Sequence, residues 1–219
     1  MAPAIELRSL YRRYGRNFVL ADITLTVEAG RTVLLKGANG AGKTTLLRVL
    51  ATRLRPSRGA GRIFGADLAR EAQSVRRRVA YLSVLGGHSP TLTARENLHF
   101  AATIYGSPAT AVDRSLASVG LGGVGDRTVR TFSSGMKKRL GVARLLLAPS
   151  DLWLLDEPYA ALDEEGKGLI DDLLTDAQAR GKTVIMASHA LERCGRFAEA
   201  TLELEGGRLR RADPEVQHV

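Results

Sequence analysis

The stretch "TVLLKGANGAGKTTLLRVL", residues 32 to 50, constrains this chain more than any other. An apolar run feeds a glycine-rich turn that opens straight into a helix-like pattern. The turn carries G-x-x-x-x-G-K-[ST] as Gly37, Gly42, Lys43 and Thr44. Glycines let the backbone turn tightly and point successive N–H groups at one place, where the positive end of the helix dipole also points. The expectation is a nucleoside triphosphate site in a strand–loop–helix unit, hence an α/β core. Lys43 would reach the β and γ phosphates, and Thr44 would offer its hydroxyl to Mg2+. The rest of the loop, Asn39, Gly40, Ala41 and Thr45, would complete the phosphate cradle.

Such a loop works with a carboxylate from a neighbouring strand, and "LWLLDEP" supplies one in Asp156, expected to hold the metal's water shell. Glu157 follows at once. A second carboxylate at the strand end can polarise an attacking water, which points to a hydrolase rather than a passive nucleotide binder. Trp153 alternates with these positions and reads as core.

Around these motifs the chain reads as one continuous unit. Its 219 residues suffice for one domain with a proper core. Apolar residues at 44% and charged ones at 25% are ordinary for a globular protein. "IELRSL", "FVLADITLTV" and "TVLLKG" read as strands, and residues 91 to 148 as mainly helical. Within that region "TARENLHFAATIYG" opens with a Thr93/Glu96 capping box. "DLWLLDEP", "KTVIMASH" and "ATLELEGG" return to strand character, with the helix "EEGKGLIDDLLTDAQAR" between the first two. The expectation is an α/β core at about 1–86 and 149–219 carrying a small N-terminal antiparallel sheet, with a helical lobe at about 87–148 inserted into it.

The formal charge is +9 and the isoelectric point about 10.2. The arginines are scattered and no aromatic residues interleave with them, so no base-stacking platform is indicated and no nucleic-acid partner is expected. A basic face near phospholipid headgroups is the favoured reading. No stretch approaches the roughly 20 apolar residues of a membrane span, and "MAPAIELRSL" has no leader pattern. The single cysteine, Cys194, fits a reducing compartment and a buried position. The cytoplasmic side is expected.

With these motifs in place, residues 5 to 210 resemble the ATP-binding subunit of ABC transporters, in the expected motif order. The resemblance implies a P-loop ATPase fold, ATP with Mg2+, a membrane permease as partner, a peripheral position on the cytoplasmic face of the membrane, and a homodimer of ATPase subunits enclosing two ATP. It makes "FSSGMKKRL" the signature segment, so that Ser133 and Gly135 would cap the γ-phosphate held by the other copy. It makes Tyr14 the adenine-stacking aromatic, with Val19 lining that pocket. Asp163 in "YAALD" would cross the dimer interface, and His189 in "MASH" would contact the γ-phosphate beside Glu157 and Lys43.

Two departures stand out. The family's LSGGQ signature is FSSGM here, with Ser134 for a glycine and Met136 for a glutamine. Where the family has a glutamine facing metal and water, "VAYLSVLGGHSPTLT" has none: Val84 stands near that place, and His88 is the nearest polar candidate. Short length and the wording "GHSPTLTARENLHF" resemble one subgroup, the ATPase subunit of the haem exporter of cytochrome c maturation. The alternatives are another short exporter of drugs, polysaccharides or ions, a non-transport ATPase acting on nucleic acid or the ribosome, and a binding module that no longer hydrolyses.

Overall fold

A computed structural model describes residues 3–84 and 86–211, with residue 211 as backbone only. The outer ends of the expected core, 1–2 and 212–219, and Leu85 lie outside the described residues.

The chain builds two sheets and crosses between them, the third strand leaving the first sheet for the second before the fourth returns to the first. Strands β1 (Ile5–Tyr14), β2 (Asn17–Val27), β4 (Arg58–Ile63) and β5 (Ala66–Asp67) form an antiparallel sheet in the order β2-β1-β4-β5. Strands β3 (Thr32–Lys36), β6 (Val79–Leu82), β7 (Leu152–Asp156), β8 (Thr183–Ala187), β9 (Ala200–Glu205) and β10 (Arg208–Arg211) form the second, in the order β10-β9-β3-β8-β7-β6. All of its pairings are parallel except that of β10 with β9. The helices are α1 (Lys43–Leu50), α2 (Ala72–Arg78), α3 (Ala94–Tyr105), α4 (Thr110–Ser118), α5 (Ser134–Leu147), α6 (Glu164–Ala179) and the short α7 (Leu191–Gly195).

The central strands are buried along their whole length because each face meets its own core. Val33, Leu35, Leu152, Leu154 and Ile185 point to the side of α1 and the antiparallel sheet. Leu34, Trp153, Leu155, Val184 and Met186 point the other way, into a cluster shared with α3, α4, α5 and α6. Trp153 is core as expected, its indole N–H bonded to Ser150 Oγ at 3.1 Å. This alternation leaves the carboxyl-terminal ends of β3, β7 and β8 side by side, the edge where open α/β sheets place their ligands.

The helical region starts where the sequence marks it. Thr93 caps α3 through the Glu96 N–H, and Glu96 returns a bond to the Thr93 N–H. Strand β1 runs four residues beyond "IELRSL", to Tyr14, through register shifts against β2.

Candidate active site

The loop after β3 is glycine-rich because no side chain fits it. Gly42 has φ +107°, and a Cβ there would lie 2.8 Å from the Val19 carbonyl oxygen. At Gly37, φ +152°, a Cβ would lie 2.3 Å from the carbonyl oxygen of Leu204. Both contacts are shorter than atoms tolerate, so the β9 and β2 backbones close in on the loop from two sides. Lys43 opens α1 and folds back, its ammonium donating to the carbonyl oxygens of Gly37 at 2.6 Å and Ala38 at 3.1 Å. Those acceptors hold the amine over the loop mouth, where a phosphate oxygen would replace them.

One residue on, Thr44 Oγ1 donates to Asp156 Oδ1 at 2.9 Å. Asp156 closes β7 and is 2% exposed. Its other oxygen accepts from the Tyr81 hydroxyl at 2.9 Å. Burial, and next the negative charge of Asp156, push the Tyr81 pKa up to about 12, so Tyr81 remains a donor. Both carboxylate oxygens are thereby oriented before any ligand arrives.

Glu157 follows in the left-handed region, φ +50°, with its N–H bonded to the Ala187 carbonyl at 2.8 Å. Its Oε2 accepts the His189 main-chain N–H at 3.2 Å, with Ser188 Oγ at 3.4 Å. The His189 ring reaches across to the phosphate loop: Nε2 lies 2.7 Å from Asn39 Oδ1 and 3.7 Å from Glu157 Oε1. With an amide oxygen as partner, Nε2 carries the proton.

These groups share one cleft of about 370 Å3, lined by residues 38–45 together with Tyr14, Val19, Asp156, Glu157 and His189. Tyr14, 46% exposed, stands at the β1–β2 tip with the Arg12 guanidinium 4.8 Å from its ring centroid. One ring face is therefore backed by a cation. Gly37 lies behind this cleft, in a neighbouring one against β9.

Residues 20–160 match the family model described as ABC transporter. The chain belongs to the ABC transporter family. "Cytochrome c biogenesis ATP-binding export protein CcmA" of Xanthomonas campestris pv. campestris (strain 8004) is 42% identical over 188 residues, covering 85% of this chain and 87% of that protein. "Daunorubicin/doxorubicin resistance ATP-binding protein DrrA" of Streptomyces peucetius is 34% identical over 210 residues, 94% of this chain and 64% of that one. A solved "ATP binding subunit of ABC transporter" superposes with a TM-score of 0.87 at 28% identity, over 96% of this chain and 90% of that one. The fold is thus the ABC ATPase type of P-loop α/β domain, with its antiparallel sheet and helices attached.

In this ABC ATPase three further expected site residues, besides Gly37, stay out of the cleft. Ser133 is the N-cap of α5, its Oγ accepting the Met136 N–H at 3.1 Å, and Gly135 lies in the first turn. A Cβ on Gly135 would come within 3.0 Å of the Ala161 carbonyl oxygen, which explains the glycine within one copy. Asp163 caps α6 through the Gly166 N–H and pairs with Arg139 of α5 at 3.1 Å. The Gly166 bond and then Arg139 hold its carboxyl below the usual range.

Neither candidate for the missing glutamine lies in the cleft. Val84 is exposed, and His88 packs in a separate groove with Nε2 3.1 Å from the Lys137 carbonyl oxygen. Two further residues touch the site that the sequence reading passed over: Tyr81, and Lys138 of α5, whose ammonium donates to the Glu157 carbonyl at 2.8 Å. Lys138 lies in a visible helical stripe with Val142 and Leu145, both buried, a spacing that marks the core face.

Proposed function

We propose that this ABC ATPase binds ATP with Mg2+ in the cleft, hydrolyses it with Glu157 as general base, and drives a membrane permease for export linked to haem handling in cytochrome c maturation. The observation that carries the hydrolytic part is the convergence of Lys43, Thr44, Asp156, Glu157 and His189 on one cleft. Lys43 and the loop N–H groups bind the phosphates. Glu157 takes a proton from the attacking water, its carboxylate aimed by the His189 N–H. The imidazole, whose Nε2 proton Asn39 accepts in this structure, would pass that hydrogen bond from the amide to the γ-phosphate when nucleotide is bound. Tyr14 stacks on the adenine beside Val19, and Gly40, Ala41, Gly42 and Thr45 complete the loop around the phosphates.

Thr44 Oγ1 and Asp156 Oδ1, 2.9 Å apart, are hard oxygens of the kind Mg2+ takes alongside phosphate and water. Among the described residues no cluster of three His, Cys, Asp or Glu offers a metal cage, which fits an ion held largely by its nucleotide. When bound, the ion would offset charge on the β and γ phosphates.

Ser133, Gly135 and Asp163 support a dimer of two copies, because they are absent from the cleft of their own chain. The Ser133 oxygen accepts one N–H as a cap while its own proton stays free to donate to a partner's γ-phosphate. The chain acts as one ATPase domain whose helical lobe, about 87–148, presents that turn.

A permease partner is supported by a groove of about 420 Å3 whose lining includes Leu92, Phe100 and Ile104 together with Arg53 and Arg144. Phe100 and Ile104, 66% and 65% exposed, are apolar surface of the kind an interface covers. No described helix is long and apolar enough to cross a membrane; the permease partner would hold this chain peripherally at the cytoplasmic face. The cytochrome c assignment is supported by the 42% identity over most of both chains.

The test is to purify the tagged protein from detergent-solubilised membranes of its source and identify its companions by mass spectrometry. A polytopic permease with haem-handling proteins is the expected result. A different permease replaces the cargo, and ribosomal or DNA-bound proteins without a permease overturn the transport reading.

A further inference from the structure

Lys138 is 3% exposed, on the second turn of α5. Its ammonium donates to the Glu157 carbonyl oxygen at 2.8 Å and lies 3.5 Å from that of Asp156. Among the described residues its hydrogen bonds go to main-chain carbonyls alone, and no carboxylate forms an ion pair with it. An ammonium drawn out of water without such a partner carries a desolvation cost of roughly several kcal/mol. Burial pulls its pKa down, while the charges of Asp156 and Glu157 oppose that shift.

The residue it holds is itself unusual. Glu157 turns from β7 into the following loop with φ +50°, a conformation that costs an L-residue about 1–2 kcal/mol and persists only where the surroundings over-determine it. Three anchors surround that turn. The N–H of Glu157 is tied to Ala187, the carboxylate to the His189 N–H and Ser188, and the carbonyl to Lys138. The first two anchors belong to β8 and its end. The third comes from α5, the helix whose N-cap is Ser133.

We propose that Lys138 is a positioning residue for hydrolysis, pinning the Glu157 carbonyl so that the left-handed turn aims the Glu157 carboxylate into the cleft. The proposal rests on the reading of Glu157 as general base. Because the same helix carries Ser133 at its start, and Arg139 binds Asp163 from it, a shift of α5 is felt at Glu157 within the same copy. One amine thereby joins the turn that faces a second copy to the carboxylate that works in its own cleft.

The experiment compares Lys138→Met, Lys138→Gln, Lys138→Arg and Glu157→Gln in the assembled transporter, measuring kcat and KM for ATP, with urea unfolding as the check on folding. Lys138→Met removes the donor and suits the buried site. It is expected to lower kcat at least tenfold with KM within twofold of the parent. Lys138→Gln, whose amide stops short of the carbonyl, loses the same activity, and Lys138→Arg recovers most of it. Parental kcat in either the Met or the Gln variant, with Glu157→Gln inactive, overturns the role of Lys138 alone. A rise in KM matching the fall in kcat also overturns it, since a positioned base acts on turnover. Parental turnover in Glu157→Gln overturns the reading of Glu157 and this proposal with it.

Discussion

The main-chain N–H of His189 donates to the Glu157 carboxylate at 3.2 Å, while the His189 ring turns away to Asn39 at 2.7 Å. Backbone and side chain of one residue thus serve two different groups. His189→Ala keeps the N–H that aims Glu157 and deletes only the imidazole. It is expected to lower kcat by roughly 100- to 1,000-fold, as for a lost transition-state hydrogen bond, with KM for ATP nearly unchanged. Steady-state kinetics on the permease complex check this, and a rise in KM without loss of kcat contradicts it.

Tyr14 has one face backed by Arg12, so an adenine has the other face available. Tyr14→Ala should weaken ATP binding by about 1 kcal/mol, the worth of an aromatic stack, and Tyr14→Phe should keep most of the affinity. Titration with a fluorescent ATP analogue reads both, and unchanged affinity in Tyr14→Ala removes this residue from the site.

Ser133 is a helix cap in its own copy and, in the proposed dimer, a donor to the other copy's nucleotide. These roles separate by substitution. Ser133→Ala loses the cap and should cost about 1 kcal/mol of stability by urea unfolding. Ser133→Asp keeps a capping oxygen and the stability, yet sets a negative charge against a γ-phosphate. Light scattering should show ATP-driven dimers in the parent and none in Ser133→Asp. Dimers persisting in that variant contradict the trans contact.

His88 is pushed down to about 4 from its ordinary 6.5 by burial, and next by the positive charge of Arg144. The folded state therefore refuses a proton that the unfolded chain accepts as pH falls below 6.5. Stability is level above that value and declines as pH drops from there towards 4. The loss attributable to this ring is about 2 kcal/mol between pH 7.5 and 5. Denaturation at both values measures it, and His88→Asn should flatten the slope by that amount. An unchanged slope contradicts the assignment.

Much of the cleft was legible because its residues obey local rules. The loop needs glycine at positions 37 and 42 for close backbone contact, and the strand before Asp156 is apolar because it is buried on both faces. The Thr93/Glu96 box marked a helix start for the same reason, all its bonds lying within one turn. Strand β4 went unread. Its "RGAGRI" is mostly exposed, with only Gly61 and Ile63 buried, and it is fixed by pairing with β1 about fifty residues away. Lys138 escaped for a different reason. It sits in a basic run, "MKKRL", where its charge makes it look like neighbouring Lys137 and Arg139, and although its spacing to Val142 and Leu145 puts it on the apolar stripe of α5, a lysine is rarely read as buried. His88 was the nearest polar group by count along the chain, but the glycine turn around it leads into the groove beside Arg144 rather than into the cleft.

The measurement that bears most directly on the account is phosphate release under single-turnover conditions, parent against Glu157→Gln, with ATP bound to both. A lost general base predicts a rate lower by about 100-fold or more in Glu157→Gln, with ATP still held in the cleft. Release at the parental rate by the ATP-loaded variant would contradict the assignment of this cleft's chemistry.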